Sequence, residues 1–326
     1  MNPRSKLVIG GAVALWVLTM FAMGVAGLVA LASFGGGGPD APDWSERKIQ
    51  GDGTEKVAVI RVSGVITGGE SSGGGLASGS SAGSDDIISQ LRQATDDDDV
   101  AAVILRLETP GGEVVASDDI YKQIVRTAGE KPVIGLMGAM ATSGGYYLAA
   151  ATNTILANPA TITGSIGVIM TLPNFEGTAE KLGVKQTTIK SGAMKDAGSP
   201  FKDLAPEEQA LFQKLIDESY EQFVTAVDAG RDNLSAEQVR TLADGRVYSG
   251  KQAKDNGLID DFADLRGAYR IALRRAKLEP DEATLVEYRA TAGLGDLFSP
   301  FGKSPVEEAK RELGVVGFGL KYMYVP

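Results

Sequence analysis

The 326-residue chain contains no histidine and no cysteine. Without histidine there is no imidazole to take a proton from a serine, and none to ligate zinc or copper. Without cysteine there is neither a disulfide framework nor a thiol nucleophile. Any catalytic base must therefore be another side chain, and nothing in the composition calls for a metal or other cofactor. Positive charge is also scarce: 32 Lys and Arg against 42 Asp and Glu leave a net charge of −10. That balance argues against nucleic acid as the main partner, because phosphate binding needs clustered cations. Apolar residues make up 43% of the chain, ample for a packed core, and the length allows one large domain or two modest ones.

One charge is missing locally as well as globally. Residues 7–34 form a run of 28 residues with no charged side chain. About 20 apolar residues suffice to cross a bilayer core, and a signal-peptide core is shorter, so a retained transmembrane anchor is expected. Ala30-Leu31-Ala32 resembles a cleavage site, which keeps a removed signal as a lesser possibility. Arg4 and Lys6 precede the run, while Asp40, Asp43 and Glu46 follow it. Positive charge stays on the cytoplasmic side, which puts the short segment 1–6 inside and the rest of the protein on the outer side of the membrane.

Residues 35–54 begin with glycines and prolines and read as a linker. A domain over 55–290 follows, and a tail over 291–326. Val57–Val62 reads as a buried strand. Thr67–Ser84 is low in complexity, 13 of its 18 residues being Gly or Ser, and reads as a mobile loop. Thereafter strands alternate with helices: a helix over 85–94, a strand over 101–107, a helix over 113–127, a strand over 132–137 and a helix from Ser143 through Ala151. Short strands are expected at 154–157, 167–170 and 184–189, and helices at 206–229 and 262–277. This rhythm predicts an α/β fold with a largely parallel sheet and flanking helices. The apolar stripe Leu211, Phe212, Leu215, Ile216, Tyr220 and Phe223 reads as core or subunit contact. The tail carries a capping box, Ser304-Pro-Val-Glu307, and ends in an apolar run; covering the site, bridging subunits and disorder all stay open for it.

In an open parallel sheet, ligands sit beyond the carboxyl ends of the strands. Two glycine loops belong there, Thr109-Pro-Gly-Gly112 and Thr142-Ser-Gly-Gly145. Ser143 enters an apolar run at a strand-to-helix turn, as a nucleophile would; taken alone, it is equally a helix N-cap. The amides of Gly112 and Gly144 are the candidate oxyanion donors. For a base, a lysine can serve once its amine is neutral. Lys195 lies in Ser191-Gly-Ala-Met-Lys-Asp196, past the strand expected to end at Ile189, although a lone loop lysine is more often a solvated charge.

Five motifs in order resemble the bacterial signal peptide peptidase A family: Leu107-Glu-Thr-Pro-Gly-Gly112, Ala141-Thr-Ser-Gly-Gly-Tyr146, Thr163-Gly-Ser-Ile-Gly-Val168, Lys190-Ser-Gly-Ala-Met-Lys-Asp196 and Ala243-Asp-Gly-Arg-Val-Tyr-Ser-Gly250. They span most of residues 57–275, and the separation of 52 between Ser143 and Lys195 fits the short, single-repeat form. The resemblance implies a membrane-anchored serine protease with a ClpP/crotonase-type fold. It implies Ser143 as nucleophile, Lys195 as general base, Ser165 as the hydroxyl orienting the lysine, and Gly112 and Gly144 as the oxyanion hole. It further implies a homo-oligomeric ring in which the lysine reaches a neighbour's serine, with hydrophobic peptides, above all remnant signal peptides, as substrates. Thr109 stands where many relatives have serine. Three alternatives stay open: a Ser/Lys membrane protease with one specific protein substrate, a crotonase-like acyl-CoA enzyme using Glu108 and Glu113 as acid and base, and a membrane scaffold with an inactive site.

Overall fold

Successive residues of a strand face opposite sides of a sheet. In Glu55–Ser63, Val57 and Val59 pack into one apolar cluster while Ala58, Ile60 and Val62 pack into another. A strand buried on both faces reads as a continuous apolar run, the signature of a parallel sheet covered by helices on each side. The computed structural model describes residues 44–71, 81–290 and 320–323, and all but Ala290 belong to one unit.

The described elements, in chain order, are β1 (Trp44–Gln50), β2 (Glu55–Ser63), β3 (Val65–Thr67), β4 (Ser81–Gly83), α1 (Ser84–Asp96), β5 (Val100–Thr109), β6 (Gly111–Glu113), α2 (Val114–Glu130), β7 (Val133–Thr142), α3 (Gly144–Ala150), β8 (Thr154–Ala157), β9 (Ile162–Gly164), α4 (Glu176–Lys181), a single 3-10 turn (Ala193–Asp196), α5 (Pro206–Gly230), α6 (Ala236–Leu242), β10 (Val247–Ser249), α7 (Gly250–Asp255), β11 (Asp261–Phe262), α8 (Leu265–Ala276), β12 (Ala283–Ala290) and β13 (Lys321–Met323). The main sheet runs in the order β1-β12-β2-β5-β7-β8-β11, and its links from β12 to β11 are all parallel. Near its carboxyl end β7 also pairs with β9, which pairs in turn with β10. A smaller sheet, β13-β6-β3-β4, lies at this end. Ile87 and Leu91 of α1, Ile120 and Ile124 of α2, most of α3 and Phe223–Val227 of α5 cover one face. Ala268, Tyr269, Ala272 and Leu273 of α8 cover the other.

This is the expected α/β arrangement with a largely parallel sheet, with local corrections. Trp44–Gln50 is a strand of the sheet rather than linker. β7 continues past Met137 to Thr142, directly up to Ser143. The strand expected at 167–170 is reduced to one bridge at Ile169. Residues 184–189 form no strand: Val184 is 56% and Ile189 97% exposed. A β-branched run needs a partner with which to pair and pack, and among the described residues this one has none. Lys195 therefore does not follow the carboxyl end of a strand. On α5, Phe223 is core but Leu211 and Leu215 are exposed. The expected anchor 7–34, residues 72–80 of the Gly/Ser loop and the capping box at Ser304 lie outside the described residues. Among the described residues no helix is long and apolar enough to cross a membrane.

One buried charge ties the sheet edge together. Glu287 on β12, 1% exposed, is ringed by Arg61 from β2, Arg47 from β1 at 2.5 Å and Arg289 at 2.9 Å. Burial pushes its carboxyl pKa up, but hydrogen bonds and charge from Arg61, Arg289 and Arg47 outweigh this and bring it down to about 2. The folded value lies below the unfolded one of roughly 4.3. The stabilisation is thus full above the unfolded value and is lost as pH falls toward 2. Glu287→Gln is expected to cost about 2 kcal/mol at neutral pH, a modest figure because the arginines are half-exposed. It should also flatten the fall in thermal midpoint between roughly pH 4.5 and 2. Parallel wild-type and variant curves across that window would rule out Glu287 as the titrating group.

Candidate active site

β5 and β7 are hydrogen-bonded neighbours in parallel register, Leu107 opposite Met137 and Thr109 opposite Ala141. Their carboxyl ends therefore deliver the two glycine loops side by side. β7 runs straight into Ser143, which sits at φ 53° and ψ −115° before α3 starts at Gly144. That backbone is strained for a residue with a Cβ, at a cost of roughly 1–3 kcal/mol. The Ser143 N–H donates to the Gly164 carbonyl at 2.7 Å, and Thr142 and Gly144 on either side are buried. The surroundings thus over-determine the turn.

The helix-cap alternative for Ser143 does not hold. Its side chain makes no capping hydrogen bond to α3. Instead the hydroxyl points at the Gly167 carbonyl from 3.5 Å, too long for a strong O–H···O bond. The residue is 1% exposed, so the hydroxyl is buried and nearly uncommitted.

The other loop packs against this turn. Gly111 has φ +97°, and a methyl group built on it would lie 2.7 Å from the Gly144 nitrogen. Its own N–H donates to the Thr109 hydroxyl at 3.0 Å, which fixes the tight bend between β5 and β6. A methyl on Gly144 would lie 2.8 Å from Ser117 Oγ and 3.1 Å from the Tyr322 carbonyl oxygen. Only glycine lets the backbones approach so closely. Gly112 pairs with Ile66 on one side and with Tyr322 on the other.

Ser165 follows the carbonyl that holds Ser143. It too has positive φ, 51°, and its N–H donates to the Arg246 carbonyl at 2.8 Å. It lines a depression with Gly167, Ile169, Tyr220, Gly245 and Met323. Ser143, Gly144, Gly112 and Ser165 are thus gathered at the carboxyl end of β7.

Lys195 is not brought to them. It sits in the 3-10 turn on an exposed stretch, and among the described residues no hydrogen bond or ion pair involves its amine. Its neighbours differ. Lys190 donates to Asp196 at 2.7 Å and to the Ala193 carbonyl at 2.9 Å, and Lys202 to Glu208 at 2.5 Å and Asp196 at 3.1 Å. Hydrogen bonds from Lys190 and then Lys202 lower the Asp196 pKa, while those to Glu208 and then Asp196 raise that of Lys202. Lys190 and Lys202 thereby pin the turn, leaving Lys195 free.

Glu108 and Glu113 are committed to the backbone. Glu108 accepts from the N–H groups of Ala139 at 2.9 Å and Met140 at 3.2 Å, and Glu113 from Gly68 at 3.0 Å. The sequence reading missed an aromatic cluster beside the site, made by Tyr121, Tyr147, Phe223 and Tyr322. Tyr147 lies in the Ser-Gly-Gly-Tyr-Tyr motif, so half of the signal was present; Tyr322 arrives from the far end of the chain.

A buried serine on a strained strand-to-helix turn, with glycine backbones packed against it, is the arrangement of serine hydrolases. Residues 126–279 match Peptidase family S49. A putative protease of Synechocystis sp. is 44% identical over 184 residues, 56% of this chain and 66% of that protein. A putative signal peptide peptidase SppA of Enterococcus faecium is 39% identical over 188 residues, 57% of this chain and 54% of that protein. Protease 4 of Salmonella typhi is 38% identical over 180 residues, 55% of this chain and 29% of that protein. Residues 126–279 thus carry the domain of this serine peptidase family, and the chain is similar to its signal peptide peptidase A members. Its aligned part spans less than two thirds of the length of each of these relatives.

The strain at Ser143 generates a stability prediction. Glycine relieves the positive φ, and alanine does not. Ser143→Gly is expected to be more stable than Ser143→Ala by about 1 kcal/mol, since relief exceeds glycine's entropic cost. Denaturant unfolding of the two variants measures the difference; equal midpoints would show that the turn stores no strain.

Proposed function

We propose that the chain is a membrane-anchored serine endopeptidase that degrades hydrophobic peptides by a Ser143/Lys195 dyad. The observation that carries the proposal is the buried, uncommitted hydroxyl of Ser143 on its strained turn. The neutral Lys195 amine takes the Ser143 proton, and Ser143 Oγ attacks the peptide carbonyl. The oxyanion rests on the N–H groups of Gly112 and Gly144, each contributing about 3 kcal/mol to transition-state stabilisation. The leaving amine takes a proton from Lys195, and Lys195 then activates water to release the acyl group. Ser165 orients the lysine.

The lysine comes from a second copy in a homo-oligomeric ring. Two features support this reading. The amine has no partner among the described residues of its own chain, and the segment that carries it exposes Leu182, Val184, Ile189, Met194 and Phe201. Such an apolar surface is what a subunit contact covers. The charge-free span 7–34 anchors the protein with its N-terminus inside and the site on the outer side, close to signal peptides left in the membrane. The names of relatives such as SppA support that substrate class. A specific membrane protein as substrate is the nearest competing reading. Acyl-CoA chemistry is disfavoured because Glu108 and Glu113 are held by backbone amides.

Ser143→Ala and Lys195→Ala are each expected to lower kcat at least about 10³-fold on an apolar signal-peptide substrate. Co-assembling the two inactive variants should restore part of the activity if the dyad crosses subunits, and none if it does not. Wild-type activity should rise with pH as the general-base amine loses its proton. Full activity in either variant, or a flat pH profile, would refute the dyad.

A further inference from the structure

Ser117, the fourth residue of α2, is fully buried. A serine inside a helix normally turns its hydroxyl to solvent or back to the carbonyl four residues earlier. Ser117 does neither: its Oγ has no hydrogen-bond partner among the described residues. Four buried side-chain atoms share that condition there, on Ser117, Thr142, Glu208 and Tyr288. Ser117 Oγ is set apart by what it faces. A Cβ built on Gly144 would lie 2.8 Å from it, the nearest contact outside the glycine's own segment. In a helix the N–H and the Cα–Cβ bond both lean toward the amino end. Gly144 opens α3, so the Ser117 hydroxyl lies on the side to which the Gly144 N–H points. That N–H, the first of its helix, has no acceptor within the helix. A backbone donor and a hydroxyl thus adjoin the same space beside Ser143.

Packing alone does not account for this hydroxyl. Alanine would keep the close approach of α2 to Gly144 and bury no unpaired polar atom. A donor that stays unpaired in the resting fold and finds its acceptor only when charge develops acts on the transition state alone, and so raises kcat rather than tightening substrate binding. We infer that Ser117 is a third oxyanion donor, joining the N–H groups of Gly112 and Gly144. The inference rests on the serine peptidase reading and adds a catalytic residue to it. As Ser143 Oγ bonds to the peptide carbonyl carbon, its proton passes to Lys195 and the carbonyl π electrons move onto the oxygen. Ser117 keeps its own proton and gives the new oxyanion a hydrogen bond. Rotation about χ1 aims the hydroxyl without any movement of α2.

The test compares the full chain with its Ser117→Ala and Ser117→Cys variants on an internally quenched apolar peptide. Ser117→Ala is expected to lower kcat about a hundredfold and to leave KM within about twofold of the wild-type value. Its denaturant midpoint should equal or exceed that of the wild type, because the atom removed was buried and unpaired. Ser117→Cys keeps the site filled but offers only a weak donor, so its kcat should fall between the other two. A peptide aldehyde, which forms a tetrahedral adduct on Ser143, should lose affinity for each variant by the same factor as kcat/KM. An unchanged kcat in Ser117→Ala overturns the inference. So does a fall in kcat matched by a fall in midpoint, which would make Ser117 part of the framework only. Should Ser117→Ala not fold, undiminished aldehyde affinity in Ser117→Cys overturns it as well. The two readings fail separately. Full activity in Ser143→Ala would sink the peptidase reading, whereas undiminished cleavage by Ser117→Ala beside an inactive Ser143→Ala would sink the third donor alone.

Discussion

Everything at the site depends on β5 and β7 being adjacent, parallel and buried. Parallel pairing puts both carboxyl ends at the same edge of the sheet, so the chain that leaves β5 as Gly111-Gly112 meets the chain that leaves β7 as Ser143-Gly144. Neither loop could hold its conformation in isolation. Gly111 and Ser143 are both left-handed, and both are kept so by contacts from outside their own segments. The sheet's two apolar faces resist any slip, because a shift of one residue would turn Ile104 and Leu105 to the wrong sides.

The strain at Ser143 is balanced locally. Its amide is held by Gly164, whose successor Ser165 is also left-handed and is anchored by Arg246. β9, β10 and the Ser143 turn thus form a short relay of backbone bonds. Side chains contribute little to it, which suits a site where the hydroxyls need to stay available.

How much of this could be read from the sequence differs by element. Val57–Val62 and Ala101–Leu107 were legible because burial on both faces leaves an apolar run broken in each case by a single arginine, Arg61 and Arg106. Ser143, Gly144 and Gly112 were legible because close backbone approach demands glycine and leaves it in recognisable pairs. Residues 184–189 misled, since β-branched residues have a strand's composition without a strand's neighbour. β13 was not legible at all, for its partners lie far away in the chain and three residues carry no periodicity. The same holds for Glu287, where Arg47 stands 240 residues away and no local pattern announces the pairing. Lys195 was legible as a candidate and remains alone in the folded chain, as a residue whose geometry is completed by another surface would be.

Tyr147 belongs to two systems at once. Its ring is part of the main core against Phe223 and Tyr121, and it is also a wall of the pocket that holds Tyr322. A substitution that widened the pocket here would open a void in the core, and one that narrowed it would overpack the α2–α3–α5 contact. The shape of this wall is therefore hard to alter by stepwise change. The middle of α5 around Ser219 is the tolerant side of this cluster, because the helix is only half-buried there and a change of shape costs the core little.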